Sequence, residues 1–167
     1  MLQQSDLRGG PLSVWVGADA GHHNRWEAEK IAIELHDTVL PTARTVCVHE
    51  VNDHHAMSFM LPIGPSEAVM ATLVAQGFGV ASSAGYVAGP ETLRLGAAEA
   101  VSAHKQRREG RALRFPGQRS LRGRHGVSDI LAFSAIEQVL PAGITAVDTR
   151  GNLQPFFKDG KLILFVD

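Results

Sequence analysis

Cysteine is almost absent from this chain. The single thiol, Cys47, leaves no partner for an internal disulfide framework and points to a reducing compartment. No apolar run approaches the roughly 18 residues that span a bilayer, which excludes a membrane partner of that kind. The N-terminal MLQQSDLRGGPLS lacks the charged-then-apolar pattern of a secretory leader, so residues 1–11 read as a polar lead-in and the expected address is cytoplasmic. Net charge is also missing: a formal value of -1 means that the molecule as a whole is no electrostatic nucleic-acid binder. Internal repeats and a linker are absent too, so residues 1–167 read as a single globular domain. The 44% hydrophobic and 20% charged content are ordinary for one.

What is present centres on Thr45 to Gly77. Apolar and polar positions alternate along TVCVHEV and again along HHAMSFML, the signature of half-buried strands, with Asn52-Asp53 as a two-residue turn. That turn pairs Val48 with Met57 and Val46 with Phe59, giving one apolar face for helices to cover. Cys47, His49, Val51, His54, Ala56, Ser58 and Met60 then share the opposite face. On it, His54 lies diagonal to His49, within reach of long side chains. Pro65 and Gly77 bracket a helix over Ser66 to Gln76.

Before the hairpin, Leu12–Gly17 reads as a strand. Asn24 caps a helix to about Leu40, with Glu27 completing a capping-box pattern. After it, GFGVASSAG supplies a fourth strand, at Val80–Ser83 or Tyr86–Ala88. The resulting βαββαβ order predicts an α+β fold: a ferredoxin-like core, a mixed sheet with helices on one face and the other face free. A free face suggests a homodimer. Further on, Pro90 to about Arg108 reads as a helix whose buried stripe is Leu93, Ala97, Ala100, Val101 and His104. Residues 110–126 read as a basic irregular loop, and Ser128 caps a helix to about Leu140. Thr149–Asn152 reads as a turn, and Asp159-Gly160 as the turn of a short C-terminal hairpin extension.

Charge is placed unevenly. Lys105, Arg107, Arg108, Arg111, Arg114, Arg119, Arg122 and Arg124 are eight of the sixteen basic residues, crowded into twenty positions with only Glu109 opposing them. Guanidinium forks suit phosphate and carboxylate. The chemistry that follows is that of a small enzyme on an anionic, phosphorylated or carboxylated metabolite. Arg119, Arg122, Arg124 and His125 hold the anion, with Ser82 and Ser83 in the small-residue stretch as further contacts. His49 transfers a proton, oriented by His54 or Asp53. This reading requires the arginines and His49 to share a cavity. His22 and His23, beside Asp19, form a smaller cluster. No HxH or HExxH spacing appears, so no metal ligands are assigned and no cofactor is named. The competing class is a non-catalytic dimeric module whose basic segment docks an acidic partner or nucleic acid. Nucleic acid is the weaker fit, since Phe115 is the only aromatic in the segment.

Overall fold

The structure, a computed structural model, describes residues 2, 8–149 and 153–166. Parts of the lead-in over 1–11 and of the turn expected at Thr149–Asn152 lie outside the described residues.

The first strand, β1 (Val14–His22), leads through Asn24 into helix α1 (Arg25–Thr38). Asn24 caps as expected: its Oδ1 accepts from the Trp26 and Glu27 N–H groups at 2.8 and 3.4 Å. The hairpin follows as β2 (Thr45–Val51) and β3 (His54–Leu61). Its register is the expected one: Val48 pairs with Met57 and Val46 with Phe59, with Asn52 taking the positive φ (+54°) of the turn. Helix α2 (Glu67–Ala75) is capped by Ser66 and leads to β4 (Gly79–Ser82) and β5 (Val87–Ala88). Both segments considered for a fourth strand are therefore strands, paired to each other.

Helix α3 (Glu91–Lys105) corrects the expectation of a free sheet face. Helices α1 and α2 bury Ala28, Ala32, Leu35, Met70 and Leu73 against Val46, Val48, Met57 and Phe59. On the other face α3 packs over β1, β3 and β2, placing Ala100 on Val51 and Ala56. Close approach is possible because a Cβ on Gly17 of β1 would collide with the Ala97 carbonyl, and one on Gly79 with the α3 backbone at Leu93. Helices thus cover both faces, and the surface that suggested a homodimer is occupied.

The segment 110–126 is also more ordered than expected. Strand β6 (Arg111–Arg114) pairs with β2, a 3₁₀ turn covers Gln118–Ser120, and β7 (Arg124–Gly126) follows. Four residues are too few for alternation to announce a strand; β6 is made by its partner. Helix α4 is shorter than expected, Val127–Phe133, with Gly126 rather than Ser128 at its start. Ser134 turns the chain extended, and Gln138–Leu140, expected as helix, is β8. It pairs in parallel with a distant strand, and that long-range pairing overrides local periodicity. Strand β9 (Ala146–Asp148) pairs with β7 in a separate two-stranded sheet.

The C-terminal hairpin is β10 (Phe156–Lys158) and β11 (Lys161–Phe165), with positive φ at Asp159 (+53°) and Gly160 (+81°). Both turn residues being positive is the geometry that Asp-Gly favours. Rather than an appendage, this hairpin completes one sheet of nine strands, in the order β5-β4-β1-β3-β2-β6-β10-β11-β8. A second core of Phe115, Leu121, Ile130, Ile136, Phe157 and Leu162 lies under its C-terminal half. Among the described residues the fold is α+β, with four α-helices longer than one turn and a large mixed sheet. No helix among the described residues is long and apolar enough to cross a membrane.

Candidate functional site

Two polar assemblies and one charged groove collect most of the chemistry. The first lies beneath α3. Cys47 and His49, two apart on β2, face the same way as Ser58 on β3, and the last turn of α3 lowers His104 onto them. All four are buried, at 3% exposure or less. The contacts run in sequence: Cys47 Sγ to His104 Nε2 at 4.0 Å, His104 Nδ1 to Ser58 Oγ at 2.8 Å, and Ser58 Oγ to His49 Nε2 at 2.6 Å. His49 Nδ1 then lies 3.2 Å from Glu109 Oε2.

One assignment of protons satisfies the whole chain. His49 Nδ1–H donates to the Glu109 carboxylate, Ser58 O–H donates to His49 Nε2, His104 Nδ1–H donates to Ser58, and the thiol donates to His104 Nε2. The other Glu109 oxygen accepts from the Glu50 N–H at 3.2 Å. Gly110 closes the assembly: a Cβ there would lie 2.5 Å from His49 Cε1.

Electrostatics follows from burial. Desolvation pushes the Cys47 thiol far up, the Glu109 charge adds to this, and Arg107 opposes it. Desolvation holds His104 well below an ordinary imidazole, with His49 and Arg107 reinforcing it. For Glu109 desolvation acts upward, but the hydrogen bond and charge of His49, then the Glu50 N–H and Arg108, leave the carboxyl lowered. Arg107, between this assembly and Glu137, is brought down to about 10, mainly by desolvation. Ser58, His49 and Glu109 have the connectivity of a nucleophile, base and orienting carboxylate. The Ser58 hydroxyl, however, is fully buried and closed in by His104, so no substrate meets it.

The second assembly takes His54 away from His49. Its Nε2 lies 2.5 Å from Oδ2 of Asp19, a fully buried carboxylate on β1, and its Nδ1 lies 3.2 Å from Asp53 Oδ1. His23 sits edge-on to the same ring at 6.5 Å between centroids. The Asp19 oxygen fits because residue 96 of α3 is glycine; a Cβ would strike it. Desolvation lowers the His54 pKa, but the hydrogen bonds to Asp19 and Asp53, with their charges, outweigh it and leave it raised. Asp53 is lowered by its hydrogen bond to His54. The expected trio is therefore split. Asp53 orients His54 on β1's side, while Glu109 orients His49, because His54 is diagonal to His49 but also adjacent to β1.

The arginines go elsewhere. Arg119 and Arg122 line a cavity of about 650 Å³ with Arg114, His36, Asp37 and Gln118. A neighbouring cavity of about 580 Å³ shares His36, Arg114, Gln118 and Arg119 and adds Arg44 and Phe133. Neither Arg119 nor Arg122 has an ion-pair partner among the described residues. His49 and Glu109 belong to the wall of a different cavity, of about 640 Å³. There Arg25 and Arg111 each stand 3.5 Å from the same Glu29 oxygen, one carboxylate shared between two guanidinium groups. The convergence of Arg119 and Arg122 with His49 is thus not formed.

The remaining expected contacts disperse. Arg124 is exposed on β7, opposite Asp148. His125 Nε2 donates to the Arg122 carbonyl at 2.7 Å. Ser82 Oγ accepts from the Ala84 and Tyr86 N–H groups and Ser83 Oγ from that of Trp15, so both serve the β4 border. The sequence pattern does not mark Glu109, His104, His36, Arg114 or Phe133 as site residues. For His104 a signal existed, a histidine in the apolar stripe of α3; for His36 there was none. No family model, curated protein or solved structure matches this chain.

Proposed function

We propose that this protein is a small enzyme acting on an anionic, phosphorylated or carboxylated metabolite, bound in the arginine groove beside the end of α1. The reading rests on one observation: Arg114, Arg119 and Arg122 share a cavity wall with His36, and Asp37 is the one acid among the described lining residues. Charge-assisted, forked hydrogen bonds from guanidinium groups are the strongest contacts a protein offers such an anion. His36 replaces His49 as the proton-transfer group. Its Nε2–H donates to the Ala43 carbonyl at 3.0 Å, which sets the tautomer and leaves Nδ1 buried and without a hydrogen-bond partner among the described residues, so proton transfer through it needs the ring to turn toward the groove. The scaffold is read as a ferredoxin-like βαββαβ core extended at one side; the antiparallel run β4-β1-β3-β2 supports this.

Calorimetric titration with pyrophosphate and citrate tests the reading. At least one should bind at one equivalent. Joint replacement Arg119→Ala and Arg122→Ala should weaken it by roughly 10–100-fold, the loss of one to two charged hydrogen bonds. Absence of saturable binding to either anion defeats it. A second reading, single-stranded nucleic acid, is favoured by Phe133, half-exposed in the adjoining cavity beside Arg44 and Arg119, where a base can stack. Steep, log-linear weakening of oligonucleotide binding with salt would select it over a metabolite.

A further inference from the structure

The assembly beneath α3 plays no part in the arginine groove, and its donor set calls for its own account. Burying a thiol, a hydroxyl and two imidazoles in one core is costly, and hydrogen bonds return only part of the desolvation. The Cys47–His104 contact, at 4.0 Å, is a weak return. We infer that Cys47, His49 and His104 form a binding site for a zinc-class cation.

The backbone brings the three together. Positions 47 and 49 of one strand project to one face, and α3 reaches that face at its last turn. Sγ and one ring nitrogen of each histidine lie within 4.8 Å of one another, and this is the one such group of three among the described residues. Thiolate and imidazole donors select zinc and its neighbours over magnesium or calcium. Bonds of about 2.0–2.1 Å to nitrogen and 2.3 Å to sulfur put tetrahedral donors roughly 3.3–3.6 Å apart. Closing from 4.8 Å needs a movement of about 1 Å, which χ rotations supply. The Ser58 oxygen, already between both imidazoles, is the adjacent fourth donor.

The surroundings match the same ion. Glu109 accepts from His49 Nδ1–H, which leaves Nε2 directed inward, the carboxylate–histidine–metal arrangement that fixes a ligand's tautomer. Charge balances too. A divalent cation with one thiolate and the Glu109 carboxylate sums to zero, and Arg107 is separately paired with Glu137. On binding, the S–H bond breaks, the metal–sulfur bond forms and the proton leaves to solvent. The cavity that has His49 and Glu109 in its wall provides a route for the ion.

Chelator-stripped full-length protein titrated with Co²⁺ tests this. One equivalent should bind, produce a thiolate-to-cobalt charge-transfer band, and be displaced by one equivalent of Zn²⁺. Since Cys47 is the chain's only cysteine, the band identifies its ligand even if variants fold poorly. Cys47→Ser should abolish the band and weaken binding at least 100-fold, and Glu109→Gln should weaken it roughly 10–100-fold while keeping the band. No stoichiometric binding, binding without the band, or equal affinity in Cys47→Ser overturns the site and leaves a hydrogen-bonded core.

Discussion

His54 stands between two carboxylates of opposite exposure, Asp19 fully buried and Asp53 85% exposed at its side chain. Deleting the imidazole strands a buried charge, so His54→Ala should destabilise the fold by about 2–4 kcal/mol near pH 6. The sign of its pH dependence follows from the raised pKa. A raised imidazole contributes its full stabilisation below the ordinary value of 6.5 and loses it as pH rises through the folded-state value. Urea midpoints should therefore separate wild type and variant more at pH 6 than at pH 9; a gap that widens at high pH would contradict this. Gly110 makes a second prediction. Its φ of +129° and its contact with the His49 ring exclude a side chain. Gly110→Ala should cost about 2–3 kcal/mol and displace the His49 ring resonances in NMR spectra, whereas a stability loss without that displacement would point to backbone strain alone.

Helix α3 was legible as a helix and its buried stripe was legible within it, but not the face it would cover. Nothing in the periodicity of Leu93, Ala97, Ala100, Val101 and His104 names a partner. The cue was the pair of glycines on the strands, Gly17 and Gly79, where the helix backbone touches down. Gly17→Ala should lift α3 from β1 and cost about 2–3 kcal/mol in chemical denaturation, while Asn24→Ala, removing only a cap, should cost about 1 kcal/mol. Equal effects would mean that the helix–sheet seam is looser than described. The hairpin, by contrast, was readable to the residue, because alternation and turn chemistry are both local. Strands β6 and β8 were not, since each is three or four residues long and owes its conformation to a partner far along the chain.

The same distinction governs the molecule as a whole. Cys47, His49 and Ser58 were placed on one face by pattern alone, and they do meet there. Whether the basic segment would join them depended on long-range pairing of β6 with β2 and β10, which sends residues 118–122 toward the end of α1 instead. Arginine crowding was visible in the chain; its destination was not.

Finally, consider how the nine-stranded sheet stops. Its outermost members, β5 and β8, contribute two and three residues, and Gly89-Pro90 and Pro141 follow them at once. A prolyl nitrogen has no hydrogen to offer and such short rims present little backbone for a newcomer to extend. So broad a ladder would otherwise be an invitation to fibre growth. Prolonged incubation of the native protein should accordingly yield no thioflavin-positive material, and lengthening either rim by a few β-branched residues should be enough to change that.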